Sequence, residues 1–352
     1  MLKLLKFTTW IMVVVLAWSF GYLGKINDGG ELSWARSIYK LKAQKANKAK
    51  GSRRVLILGG SGTHFGVNAQ QIEQELGIPV FNMGVHGSLG INIILDSISG
   101  QIHRGDFIVV IPEYAILEDE DGIDRMASPF GIAIGRPGLG GVPYEELAED
   151  LLNAGNPGLK YVTKSSLDFI RQIKNPRYYS DRLNANGDPV DLKRRIVEPA
   201  VLNIHLSAYA CLRLKKFRDQ LDRSEATLIL ALPWVYTNID ENTLVNAKKI
   251  TEKLLEISPV IYDKKSFNLK NDSTLFGDTV YHLNDKGIKI RSLELAQQLK
   301  QVLKAELGVP NSKSGRSGRN FQKQFLPQQS TSADIHVDLV QSRRAIADCE
   351  CL

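Results

Sequence analysis

Ser61 is the hydroxyl in this chain best placed to do chemistry. It lies in Val55-Leu56-Ile57-Leu58-Gly59-Gly60-Ser61-Gly62-Thr63-His64-Phe65-Gly66, where an apolar, partly β-branched run meets Gly-Gly-Ser-Gly and a polar helical pattern follows. That order predicts a strand, a tight turn and a helix start. A serine there sits at the carboxyl end of a strand, the edge at which open α/β sheets bind ligands. Its small neighbours Gly60 and Gly62 leave the hydroxyl accessible and let backbone N–H groups face a substrate oxygen. A serine hydroxyl is a poor nucleophile until a base takes its proton. Of the six histidines, His282 is the best candidate, in Gly277-Asp278-Thr279-Val280-Tyr281-His282-Leu283-Asn284-Asp285-Lys286-Gly287. This segment follows the last predicted strand and precedes the last predicted helix, so it opens at the same carboxyl edge. Asp278 is near enough in sequence to hold the imidazole by its other nitrogen, and Asn284 suits a helix cap. So activated, Ser61 would serve as a nucleophile. The plainer alternative stays open: a βα turn at Ser61 and a capped turn bracketed by Asp278 and His282.

The elements that must carry these residues follow from apolar patterning. Strands are predicted at Val55 to Leu58, Ile78 to Phe81, Asp106 to Ile111, Leu228 to Leu232 and Val260 to Tyr262. Helices are predicted near Ala69 to Leu76, Leu89 to Ser99, Glu241 to Ile257 and Asn284 to Leu307. Alternating strands and helices with right-handed crossovers imply a parallel sheet covered on both faces. The alternation stops between Tyr114 and Ala200, where helical patterns near Tyr144 to Leu152 and Leu159 to Ile173 and a turn or hairpin at Asn184 to Pro189 suggest a cap of about residues 115–200. Such a cap would lie beside the site edge and govern substrate choice.

Before the first strand, Lys3 and Lys6 precede an apolar run from Phe7 to Leu23, about seventeen residues with no clear cleavage site. Residues 1–24 therefore read as an uncleaved transmembrane signal anchor. Residues 25–52 read as a basic stalk, helical around Trp34 to Lys48, and residues 53–308 as the α/β domain. The near-flank charges and the longer basic stretch to Arg54 pull the orientation in opposite senses, but large domains translocate largely regardless of charge. An extracytoplasmic domain, periplasmic or at the cell surface, is the expectation. Residues 309–352 are too polar to pack and read as a disordered tail. The net charge of +7 gathers beside the membrane segment and in this tail, where a juxtamembrane linker and a solvated end account for it without nucleic acid. Three cysteines, Cys211, Cys349 and Cys351, form neither a disulfide framework nor a metal-ligand spacing, and Cys211 reads as a buried thiol.

Taken together, Ser61 after the first strand, the Asn82-Met83-Gly84-Val85-His86-Gly87 turn after the second, and Asp278 with His282-Leu283-Asn284-x-x-Gly287 before the last helix resemble the SGNH/GDSL esterase superfamily. The resemblance spans about residues 53–306 and implies a three-layer, doubly wound, flavodoxin-like fold. It implies Ser61 as nucleophile, His282 as base, Asp278 as its partner, and the Ser61 and Gly87 amides as oxyanion hole. The anchor, the cap and the His-Leu-Asn-x-x-Gly wording are similar to envelope-associated members such as alginate acetylation and D-alanine transfer proteins. That implies a membrane-anchored esterase or O-acyltransferase acting on acylated polysaccharide, without cofactor or metal, beside polysaccharide-assembly proteins. Two departures stand out. The family's Gly-x-Asn block is replaced by Ile111-Pro112-Glu113-Tyr114, leaving Tyr114 or the two amides alone to serve the oxyanion, and the Asp-His spacing is one residue longer than usual. Tyr114, Asn82 and His86 are the candidates for substrate contact, against a packing or turn-shaping role for each.

Two further function classes compete. A fold that kept its shape and lost its chemistry would be an inactive scaffold in polysaccharide assembly. A dinucleotide-binding protein would explain Gly59-Gly60-Ser61-Gly62 with Gly66, yet the spacing is not Gly-x-Gly-x-x-Gly and no acid ends the second strand to grip a ribose. No Gly-Lys-Ser/Thr follows the first strand, which excludes a P-loop.

Overall fold

The computed structural model describes residues 2–27, 30–49, 51, 53–155, 182–190, 198–200, 202, 204–306 and 336–338. In chain order it has α1 (Leu2–Lys25), α2 (Glu31–Asn47), β1 (Val55–Gly59), α3 (Ser61–His64), α4 (Ala69–Leu76), β2 (Val80–Asn82), α5 (Gly90–Asp96), β3 (Phe107–Ile111), α6 (Tyr114–Glu118), α7 (Ala127–Ala133) and α8 (Tyr144–Ala154). There follow β4 (Arg182–Leu183), β5 (Pro189–Val190), α9 (Ala208–Arg223), β6 (Thr227–Ala231), β7 (Val235–Tyr236), α10 (Glu241–Leu255), β8 (Val260–Tyr262), β9 (Leu269–Lys270), α11 (Asp285–Glu306) and β10 (His336–Asp338).

The class is α/β. Five parallel strands stand in the order β8-β6-β3-β1-β2, and β10 pairs antiparallel outside β8. The central strands are apolar on both faces because both are covered. On one side Leu56, Leu58, Ile108, Val110, Leu228 and Leu230 meet side chains from α5, α9 and α10. On the other, Val55, Ile57, Phe107 and Val109 meet Ile72 of α4 and Leu295 and Leu299 of α11. The order reverses at β1, so the turns after β1 and β3 lie at the switch in the sheet where a crevice opens.

The anchor and the stalk fare differently. Helix α1 is long and apolar enough to cross a membrane, with a mean hydropathy of 1.6 and 6% of its most apolar window buried. Its last turns are tied to the rest of the molecule, with Trp18 Nε1 donating to Leu151 O at 3.0 Å and Tyr22 Oη to Ile132 O at 3.2 Å. Helix α2, however, is no stalk. Trp34, Ala35, Ile38 and Ala46 are buried in the main core, and Ser33 and Lys42 are buried with them. The basic run is correspondingly not all solvated. Arg54 is fully buried, ion-paired to Asp106 at 3.1 Å and hydrogen-bonded to Ala46 O at 2.5 Å, with Gln101 O as a further acceptor.

Within the cap, α6 and α7 lie against α5, α7 also meets α2, and α8 packs on α7 and α1, while β4 and β5 form the hairpin expected at Asn184 to Pro189. That hairpin seals the sheet's edge at β2: Asn82 N donates to Asn186 O at 2.9 Å and Asn186 Nδ2 to Val80 O at 2.9 Å. The helix expected at Leu159 to Ile173 lies outside the described residues, as does most of the segment after Val309; within that segment His336–Asp338 is a strand.

Candidate active site

Ser61 opens α3, straight after a strand that is buried along its whole length. Gly60 is required by close approach: a Cβ there would come within 2.5 Å of Glu113 Oε2 and 2.7 Å of Gly87 Cα. The turns after β1, β2 and β3 therefore touch at this glycine. Among the described residues neither the Ser61 nor the Gly87 backbone N–H has an acceptor within the chain, and the Ser61 hydroxyl makes no hydrogen bond.

The second half of the site comes from the loop before α11. His282, 4% exposed, donates from Nδ1 to Asp278 Oδ1 at 2.8 Å, so the longer spacing does not keep the pair apart. With the proton held on Nδ1 towards the carboxylate, Nε2 is the basic nitrogen of the ring. Thr279 Oγ1 accepts from His282 N at 3.1 Å and shapes the extra residue into a turn. Asn284 caps α11, its Oδ1 accepting from Gly287 N at 3.0 Å, and a Cβ on Gly287 would meet Leu275 O at 2.2 Å. The His-Leu-Asn-x-x-Gly wording thus encodes a tight entry into the helix.

Several contacts carry this loop to the Ser61 turn. The Phe65 and His282 rings lie 4.6 Å apart, Leu283 N donates to Phe65 O at 3.3 Å, and a Cβ on Gly62 would sit 3.1 Å from Tyr281 Cβ. Ser61 and His282 share one edge of the sheet, without a hydrogen bond between them.

The candidates for substrate contact are placed otherwise. Asn82 is fully buried and spent on the frame: Oδ1 accepts from Lys42 Nζ at 3.1 Å and Gly84 N at 3.0 Å, while Nδ2 faces the carbonyls of Thr63, His64 and Val67 at 3.3 Å. It shapes the turn and does not reach for substrate. Tyr114 is fully buried in the main core, and burial pushes its phenol up; its hydroxyl has no hydrogen-bond partner among the described residues. It does not stand in for the missing asparagine at the turn. His86 is half-buried, pairs through Nε2 with Glu31 Oε1 at 3.0 Å, and accepts from Ser88 N through Nδ1 at 3.1 Å. Burial depresses its pKa most, opposed by Glu31, with Arg125 and His282 adding to the depression.

Two residues outside the candidates named from the sequence stand against the Ser61 turn. Glu113 lies two residues past the end of β3, and its side chain accepts from Gly62 N at 2.6 Å and Gly60 N at 3.2 Å. Burial raises its pKa, and the amides pull it back only in part. An acid directly after a buried strand was the signal available. Lys42, 1% exposed, reaches from α2 beneath the same turn. Its signal was the spacing Trp34, Ile38, Lys42, Ala46, which puts the lysine on an apolar helical face.

On the other side of the Ser61 turn a small cleft is lined by Gly62, Ile111, Glu113, Trp234, Tyr281 and Arg291. Arg291 donates from Nη2 to Leu232 O at 2.9 Å, and burial lowers its guanidinium to about 10. Among the described residues no group of three or more His, Cys, Asp or Glu side chains is placed to hold a metal ion.

No protein-family model matches the chain. No curated protein matches it significantly either.

Proposed function

We propose that this chain is a membrane-anchored serine esterase or O-acyltransferase of the SGNH type, with a flavodoxin-like domain held outside the cytoplasm. Its substrates would be acyl groups on cell-envelope or extracellular polysaccharide. The observation that carries the reading is the Asp278–His282 pair delivered against the Ser61 turn. His282 Nε2 takes the Ser61 proton as the oxygen attacks an ester carbonyl, and Asp278 stabilises the imidazolium. The Ser61 and Gly87 amides, which lack acceptors of their own among the described residues, are available to the oxyanion. Collapse expels the alcohol, which takes the proton from His282. Water or a sugar hydroxyl then attacks the acyl-serine, giving acid or a new ester. Glu113 already occupies the Gly60 and Gly62 amides that a pyrophosphate would need, which weighs against a dinucleotide site.

A fluorophosphonate probe and p-nitrophenyl acetate test the proposal on the full chain in detergent. Labelling of wild type but not of Ser61→Ala is expected. Asp278→Asn should lower kcat by about 10³–10⁴-fold through the wrong imidazole tautomer. Folded wild type that neither labels nor turns over would leave the inactive scaffold, a reading favoured by the missing Ser61–His282 hydrogen bond. Isotope-labelled acetate followed into water or onto an added glycan separates esterase from transferase.

A further inference from the structure

Helix α2 enters the candidate site with three side chains. Glu31 bonds His86, Trp34 stacks on Phe65 with ring centroids 6.3 Å apart and meets the His64 and His86 rings edge-on, and Lys42 reaches the floor. Lys42 Nζ lies 2.7 Å from His64 Nδ1, 3.1 Å from Asn82 Oδ1 and 2.6 Å from Gly84 O. An ammonium has three N–H donors and no acceptor. Three acceptors face it here, one on the nucleophile turn and two on the β2 turn that leads to Gly87. As an ammonium Lys42 can only donate, and His64 then accepts through Nδ1 and carries its proton on Nε2. Asn82, held by Lys42, in turn binds the Thr63 and His64 carbonyls. A Cβ on Gly84 would lie 2.6 Å from His64 N, so the two turns touch at this level as they do at Gly60. One buried cation on the helix that follows α1 therefore ties together the two loops that supply the nucleophile and both oxyanion amides.

The geometry points to Lys42 as a positioning residue that sets the distance between the Ser61 and Gly87 amides, and so makes α2 part of the catalytic site. This rests on the serine-hydrolase reading above. It separates Lys42 from a residue that merely stabilises the core: loss of the ammonium should impair the chemical step while leaving substrate binding nearly intact.

The test compares wild type, Lys42→Met and Lys42→Gln, all as full-length chain in detergent, by circular dichroism, p-nitrophenyl acetate kinetics and ¹⁵N NMR of the His64 ring. Lys42→Met is expected to fold and to lose about 10- to 100-fold in kcat, with KM changed less than about twofold. Lys42→Gln, which retains an N–H₂ donor, should fall between it and wild type. Wild-type His64 should show the Nε2–H tautomer with Nδ1 as acceptor. A folded Lys42→Met with wild-type kcat, or an equal loss in kcat and rise in KM, overturns the proposal. So does a wild-type His64 protonated on Nδ1, a result that decides the matter even if Lys42→Met does not fold. Wild type inert to both ester and probe sinks the hydrolase reading instead, and the His64 tautomer still reports separately whether Lys42 holds the two turns.

Discussion

Glu113 sets the electrostatics of the Ser61 turn. A carboxylate that accepts from the amides on either side of Ser61 fixes the turn, yet as an anion it opposes the negative charge that an oxyanion would develop nearby. Burial resolves the conflict in one direction by raising its pKa. A carboxyl whose pKa is higher in the folded than in the unfolded chain stabilises the fold below the ordinary carboxylate range and loses that contribution as pH rises through its folded value. Glu113→Gln stays neutral throughout. Urea midpoints measured across pH should therefore fall more steeply for wild type than for Glu113→Gln above the ordinary carboxylate range. At low pH the substitution should cost about 1–3 kcal/mol, because its amide N–H₂ meets a backbone donor. Parallel profiles would show that Glu113 does not titrate with folding. Its role was not legible in the sequence, because which side chain at a strand end meets the neighbouring turn depends on the register of β3 against β1. The contact of Asp278 with His282, by contrast, was legible in spite of the longer spacing, since Thr279 folds the extra residue into the turn.

At the scale of elements, α2 is the part of the chain most easily misread. Its composition suggests a solvated linker, because eight of the residues from 36 to 54 are basic and none is acidic. Packing overrides the composition. Lys42 and Arg54 are buried with hydrogen-bond partners, and Trp34 is wedged among Phe65, His64 and His86. The expected consequence is an asymmetry between truncations. A chain beginning at Gly30 should unfold cooperatively and keep its probe labelling, whereas one beginning at Arg53 should lose cooperative unfolding; deleting Trp34 alone, as Trp34→Ala, costs about 3–5 kcal/mol. Equal stability of the two truncated chains in a thermal melt would restore the stalk. The strands of the sheet were legible because continuous apolar runs bounded by glycine, proline or charge have few other destinations in an α/β domain. The face presented by α2 was visible only as a four-residue spacing interrupted by a lysine.

For the molecule as a whole, α1 is exposed along most of its length, with Leu4, Phe7, Trp10 and Val14 among the large apolar side chains facing outward. No folded soluble domain of this size leaves such a surface to water at low cost. The full chain is expected to stay with membranes through carbonate extraction, and the chain beginning at Gly30 to be released into the soluble fraction. Recovery of the full chain from the carbonate supernatant would remove the anchor. A parallel sheet built on five strands and covered on both faces followed from the alternation of elements; the order of the strands came with the structure. The pairing of His336–Asp338 beside β8 did not, because a short strand in a polar tail has no periodicity to announce it.

The docking of α2 at both ends also governs how this protein can vary in length. Glu31 meets His86 at one end of the helix, and Arg54, just beyond the other, binds Ala46 O and Asp106. One residue inserted within the helix between Glu31 and Lys42 would turn one relative to the other by about 100° and set the Glu31 contact against the three acceptors of Lys42. The stretch of α2 from Glu31 to Lys42 thus behaves as a gauge of fixed length, and tolerance to insertions should begin outside it, between Lys25 and Glu31 and in the turn after Asn47.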